Sequence, residues 1–214
     1  MLVLFDLDNT LGDRAKAVRR WAESFAAAKR LPAAEVEWIL EIDRDGYRDR
    51  SEAFALIRER FNLDTPVNQL VEAYRSQIVA LTEEVPGATA CLRAIRNMGH
   101  GLAIVTNGSS GQQHAKIDRL GFRDLVDAVV VSGDLPFAKP DPRIFDEASR
   151  ATGLPLAGGW MIGDSAVNDC VGADALGMKA AWLARGRAWP AEHEPPTVVL
   201  HQLSELSPLL RSTP

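Results

Sequence analysis

Apolar residues along this chain follow two rhythms. Short unbroken runs, rich in Leu, Ile and Val, recur at residues 2–5, 102–105, 128–131, 160–162 and 180–183. Successive strand side chains point to opposite faces, so a run with no polar interruption predicts a strand covered on both sides. Between the later runs, segments 88–98, 112–120, 142–152 and 167–176 carry apolar residues at helical spacing. Strands alternating with helices predict βαβ units, hence an α/β fold with a mostly parallel sheet and helices on both faces. One more strand at 197–200 and a closing helix at 202–210 complete the pattern.

Residues 14–84 break this rhythm, because they contain no convincing strand. Val18, Trp21, Phe25 and Ala28 recur at helical spacing, as do Val36, Ile39 and Leu40, and then Phe54, Ile57 and Phe61. Val67, Leu70, Val71, Tyr74 and Ile78 continue the series. The expected organisation is an α/β core from 1–13 and 85–214, with 14–84 a helical insert. Residues 185–196, rich in Gly, Pro and charge, read as a plain loop.

Composition narrows the classes of function. The 214 residues are 46% hydrophobic and 25% charged, with a net charge of -5 and no long run of one sign. Nucleic acid is therefore not an expected partner. Cys91 and Cys170 give neither a disulfide framework nor metal-ligand spacing, and they read as free buried thiols of a reducing compartment. The N-terminus lacks a basic region ahead of a long apolar stretch, and no apolar run reaches membrane-spanning length. A cytoplasmic protein without a membrane partner is the expectation. The sequence carries no signal for oligomeric state.

In parallel sheets ligands gather beyond the carboxyl ends of the strands, so the residues following each run are the ones to collect. The first run ends in Asp6 and Asp8, and the second in Thr106, Asn107 and Gly108. Lys139 follows the third after a short loop, and Asp164, Ser165, Asn168 and Asp169 follow the fourth. Carboxylates, a hydroxyl and an ammonium thus converge on one sheet edge. Phosphoryl transfer to a carboxylate suits them. An oxygen-rich site suits Mg2+, whose charge offsets the repulsion between a carboxylate nucleophile and a phosphate. Thr106, the amides of the Asn107–Gly108 turn and Lys139 can hold the remaining phosphate oxygens. A second carboxylate can protonate the leaving alcohol and later take a proton from water.

FDLDNTL, VTNG, the KPDP lysine and GDSAVND, in this order and spacing, resemble the four motifs of the haloacid dehalogenase superfamily. The resemblance spans essentially the whole chain, including a helical cap inserted after the first motif. It implies a Rossmann-like three-layer parallel sheet core and an aspartyl-phosphate intermediate. Carried over position by position, it makes Asp6 the nucleophile and a Mg2+ ligand. Asp8 becomes the general acid and base, with its main-chain carbonyl on the metal. Thr106, Asn107 and Lys139 would bind phosphate, Asp164 would ligate Mg2+, and Asp169 would support the metal or orient Lys139. The founding dehalogenases lack the second aspartate of the first motif, since a halide leaves without a proton. Asp8 therefore favours a phosphatase acting on a small phosphorylated metabolite over a dehalogenase. A phosphomutase, which shares the motifs, is the runner-up.

Two readings of other classes compete. A non-catalytic phosphate-sensing receiver also uses an acidic pocket, a Thr and a Lys, but it has no cap insert. Residues 41–52, EIDRDGYRDRSE, nearly match a twelve-residue calcium loop, with acids at positions one, three, five, nine and twelve and Gly46 at six. Glu41 stands first where Asp is usual, Arg48 stands where an apolar residue is usual, and there is no second loop. A charged turn between two cap helices is preferred, and in enzymes of this resemblance such a loop can bring Tyr47, Arg48 or Arg50 to substrate. Six Lys/Arg against Glu23 in residues 14–30 read as a solvated helix face. His100, His114, His193 and His201 show no metal-ligand spacing and take no role. Asp164 also reads as an N-cap for the helix that follows it.

Overall fold

Leu2, Val3, Leu4 and Phe5 form strand β1 (Leu2–Phe5), and all four are fully buried. The computed structural model describes residues 1–211, so the last three residues of the expected core segment 85–214 lie outside the described residues. β1 lies inside a six-stranded sheet with β2 (Gly101–Thr106), β3 (Ala128–Val131), β4 (Trp160–Gly163), β5 (Lys179–Leu183) and β6 (Val198–Leu200). The order is β3-β2-β1-β4-β5-β6, and every pairing is parallel. The order reverses between β1 and β4, a topological switch point where α/β sheets bind ligands. Alternate residues face different cores. Val3, Phe5, Leu102, Ile104, Trp160 and Ile162 enter one cluster, whereas Leu2, Leu4, Ala103, Val105 and Met161 enter another. That division by twos is why the strands read as solid apolar runs.

The chain divides into two compact units, one of Met1–Gly12 with the chain from Glu84 onward, the other Asp13–Glu83. At the boundary, Gly12 and Glu84 form an antiparallel bridge, and the Asp13 amide donates to the Glu83 carbonyl at 2.8 Å. The helical unit comprises α1 (Arg14–Lys29), α2 (Ala34–Asp43), α3 (Arg50–Arg60) and α4 (Val67–Leu81). Asp13 caps α1, accepting from the Lys16 amide at 3.0 Å. Its core is aromatic: Trp21 packs edge-on against Phe54 and Tyr74, with ring centroids 5.6 and 4.8 Å apart. Ala22 and Ala26, rather than Ala28, complete the buried stripe of α1. Beside this core lies a buried charge cluster. Arg14 donates two bonds to the Asp43 carboxylate, at 2.8 and 2.7 Å, and Arg50 adds a third at 2.5 Å.

In the sheet unit, α5 (Ala88–Asn97) and α6 (Ser110–Arg119) supply Leu92, Ile95 and Ile117 to the first cluster. α7 (Pro142–Thr152) supplies Ile144, Phe145 and Ala148 to the second. The expected helix at 167–176 is instead a π turn, Ala166–Val171, running into the short α8 (Gly172–Asp174). Ser165 and Asp169 account for the change: the Ser165 hydroxyl accepts from the Asn168 amide, and the Asp169 side chain folds back onto the Ser165 amide. The closing helix begins as a 3-10 turn at Leu203–Glu205 before α9 (Leu206–Arg211). Thr197 lies outside β6, and its hydroxyl accepts from the Ala180 amide at 3.0 Å. Both cysteines are buried and free. No described helix is long and apolar enough to cross a membrane.

Candidate active site

All the polar residues expected at the strand ends belong to the sheet unit, and the fold brings the charged ones together in two sets. Asp6 continues the pairing of β1, its amide donating to the Ile162 carbonyl at 2.9 Å. Lys139 lies between two carboxylates, its Nζ 2.7 Å from Asp6 Oδ1 and 2.7 Å from Asp169 Oδ1. The other Asp169 oxygen accepts from the Ser165 amide at 2.9 Å. This arrangement requires glycine at position 163, where a Cβ would overlap the Asp169 carboxylate. All three side chains are buried. Burial, together with neighbouring Asp169, pushes the Asp6 carboxyl up to about 7 although Lys139 pulls it down. Burial acts to lower Lys139, but Asp169 and Asp6 outweigh it and hold the ammonium charged.

Asp164 joins this cluster from the end of β4. Carboxylate oxygens of Asp6, Asp164 and Asp169 all lie within 4.8 Å of one another, the grouping among the described residues that could hold a metal ion. Hard oxygen donors at that spacing fit Mg2+. The N-cap of the turn after β4 is Ser165, not Asp164. Asp164 is held from elsewhere: Arg185 and Arg187 each donate to its Oδ2 at 3.0 Å, and Trp182 donates to its carbonyl at 2.8 Å. The loop at 185–196 is therefore not a plain connection.

The second set surrounds Asp8. Lys116, only 1% exposed on α6, donates to both Asp8 oxygens at 2.7 and 2.8 Å. Gln113, one turn earlier, donates to Asp8 Oδ2 at 3.2 Å and to the Thr106 hydroxyl at 2.7 Å. Its Oε1 accepts from Lys116 at 2.9 Å, which closes a ring of hydrogen bonds. Gly108 makes room for it, since a Cβ there would stand 2.8 Å from the Gln113 side chain. Neither Gln113 nor Lys116 is among the site residues expected from the sequence. Both lie on the buried stripe of α6 that also carries Ile117, a placement that the fold reveals and their polar residue types conceal.

The Asn107 side chain faces the Lys139 backbone. Its Nδ2 donates to the Lys139 carbonyl at 2.9 Å, and its Oδ1 accepts from the Lys139 amide at 2.8 Å. The Gly108 amide is likewise engaged, donating to Ser132 Oγ at 3.0 Å. Asn107 thus clamps the lysine loop through its side chain. In the helical unit, Asp43 of the calcium-like loop is held by Arg14 and Arg50, and Asp49 caps α3 through the Ser51 and Glu52 amides. Those side chains already have strong partners within the protein, and Tyr47 is exposed.

The chain matches known proteins over most of its length. The family model described as haloacid dehalogenase-like hydrolase matches residues 3–183. The chain is similar to a glyceraldehyde 3-phosphate phosphatase of Pyrococcus abyssi, 30% identical over 98% of this chain and 92% of that protein. Among solved structures it resembles the HAD-hydrolase YfnB of Bacillus subtilis, determined bound to magnesium, with a TM-score of 0.83 at 23% identity over 98% and 97% of the two chains. The L-2-haloacid dehalogenase of Xanthobacter autotrophicus shares the fold as well, with a TM-score of 0.80 at 20% identity over 100% and 99%.

Proposed function

The chain belongs to the haloacid dehalogenase-like hydrolases, and from that premise we propose that it is a Mg2+-dependent phosphatase of a small phosphorylated metabolite. The observation that carries this reading over a dehalogenase is Asp8, a second carboxylate two residues beyond Asp6, braced by Lys116 and Gln113. A halide departs without a proton, whereas an alkoxide needs one. The phosphatase named among the relatives points the same way.

Asp6, Asp164 and the main-chain carbonyl of Asp8 would hold the ion, with Asp169 alongside. Bound there, Mg2+ would supply the positive charge that lets a carboxylate approach a phosphate. In the first step an Asp6 oxygen forms a bond to phosphorus as the bond to the ester oxygen breaks, and Asp8 delivers a proton to that oxygen. Lys139 and the Thr106 hydroxyl hold the transferring group, with Asn107 keeping the Lys139 loop in place. In the second step Asp8 takes a proton from water, the water oxygen attacks phosphorus, and the Asp6–phosphorus bond breaks to free phosphate. The helical unit, Asp13–Glu83, serves in this reading as the substrate-selecting cap. The two free buried thiols suit a reducing cytoplasm.

The test is phosphate release from p-nitrophenyl phosphate. Wild type should turn over with Mg2+, stop on chelation and recover on resupply. Asp6→Asn should abolish turnover, whereas Asn9→Ala, at the buried asparagine that follows Asp8 in FDLDNTL, should retain much of it. Substantial phosphate release by Asp6→Asn, or halide release from 2-chloropropionate without phosphatase activity, would overturn the reading.

A further inference from the structure

The two aspartates of the first motif do not share a cation. Asp6 is paired with Lys139, which comes from the loop after β3, while Asp8 is paired with Lys116, which comes from α6. Lys116 is at a position where the neighbouring buried residue is Ile117, and an apolar side chain there would pack at no electrostatic cost. Burying an ammonium on a core-facing stripe needs compensation, and Asp8 with Gln113 Oε1 supplies it. Gln113 in turn ties the Asp8 carboxylate to the Thr106 hydroxyl through one amide nitrogen. Three bonds therefore fix both oxygens of Asp8, while its side chain stays 22% exposed.

From this geometry we propose that Lys116 and Gln113 are positioning residues for the leaving-group step. They hold the Asp8 carboxyl at a set place relative to Thr106, so that the proton donor and the phosphate-binding hydroxyl stay in register. The inference rests on the reading of Asp8 as proton donor. Lys116 and Gln113 need touch neither substrate nor metal, since they act through Asp8. A carboxyl displaced by about 1 Å loses on the order of a hundredfold in rate.

The experiment pairs two aryl esters of similar shape with a double-mutant cycle on the Mg2+-loaded full chain. Phenyl phosphate releases a weakly acidic phenol that needs a proton, whereas 2,4-dinitrophenyl phosphate releases an anion that does not. The readout is kcat/KM, which reports events up to departure of the phenol and not the later use of Asp8 as a base. Lys116→Met should lower kcat/KM for phenyl phosphate by roughly 10²-fold or more, and for the dinitro ester by less than about tenfold. In an Asp8→Asn background, Lys116→Met should cost nothing further on phenyl phosphate, since two residues acting as one unit are not additive. Equal losses on both esters, or losses that multiply across the cycle, would overturn the proposal. If Asp8→Asn alone fails to separate the two esters, the proton-donor reading falls, and the cycle still reports whether Lys116 acts through Asp8. Should Lys116→Met lose its native circular dichroism, Gln113→Met runs the same cycle, with the same ester split and non-additivity expected.

Discussion

At the scale of single residues, the site depends on which atoms are absent as much as on those present. Gly163 leaves space that the Asp169 carboxylate fills on its way to the Ser165 amide and Lys139. A methyl group there must push Asp169 aside and with it the ammonium that touches Asp6. Gly163→Ala is expected to lower kcat on p-nitrophenyl phosphate by about a hundredfold. Gly111, on α6, has open space where a methyl group would stand, with no neighbour within 4 Å, and its φ is ordinary. Gly111→Ala should leave kcat unchanged and raise stability by about 0.5–1 kcal/mol. Comparable kinetics for the two variants would show that the Asp169 position is not critical. Reading GDSAVND as sequence marks the aspartates, but the need for glycine comes only with the backbone path that brings position 163 against the Asp169 side chain.

At the scale of elements, the helical unit is stitched through one carboxylate. Asp43, at the end of α2, is held by Arg14 of α1 and Arg50 of α3. Burial alone would raise the Asp43 carboxyl, but the two guanidinium groups outweigh it and hold it below the ordinary carboxylate value of 3.8. A carboxyl whose value falls on folding stabilises the protein above its unfolded value, and that stabilisation fades as pH drops toward and through the folded value. Asp43→Ala, which leaves Arg14 buried without its main partner, should cost about 3–5 kcal/mol at neutral pH. The gap in melting temperature between wild type and Asp43→Ala should narrow below about pH 4. A gap that is the same at pH 7 and pH 3 would refute this account of the ion cluster. Residues 41–52 resemble a cation loop because acids stand there at loop positions one, three, five, nine and twelve. The partners of Asp43 lie far off in sequence or on the next helix, so spacing alone does not distinguish a cage for calcium from a knot of arginines.

At the scale of the whole molecule, legibility follows burial. β1 to β5 are readable because strands covered on both faces leave unbroken apolar runs, and their ends locate Asp6, Asp8, Thr106, Lys139 and Asp164 on one edge. Lys116, Gln113, Arg185 and Arg187 are not legible, because Lys, Gln and Arg on a helix or loop are solvent-facing by default. Tertiary packing buries Lys116 and Gln113 and brings Arg185 and Arg187 onto Asp164. The same packing covers Cys91 and Cys170. Burial pushes the Cys91 thiol up to about 12, and burial with nearby Asp169 and Asp164 pushes Cys170 higher. Neither thiol should react with an aromatic disulfide at pH 8 in the native state, and both should react fully in guanidinium chloride. Stoichiometric native labelling at the full rate of an exposed thiol would contradict the packing of the sheet unit.

The bridge between Gly12 and Glu84 has a consequence for ancestry and engineering alike. Seventy-one residues, Asp13–Glu83, depart and return through neighbouring points on one backbone ladder. Closing so long an excursion adds little entropic penalty beyond a short one, since the cost grows only with the logarithm of length. A foreign segment with adjacent ends could be grafted between the same two residues, or a tight hairpin substituted, without disturbing the register of β1 and its neighbours. On the proposed reading of this segment as a substrate-selecting cap, exchanging it would change substrate preference while the acid cluster at the sheet edge stayed as it is.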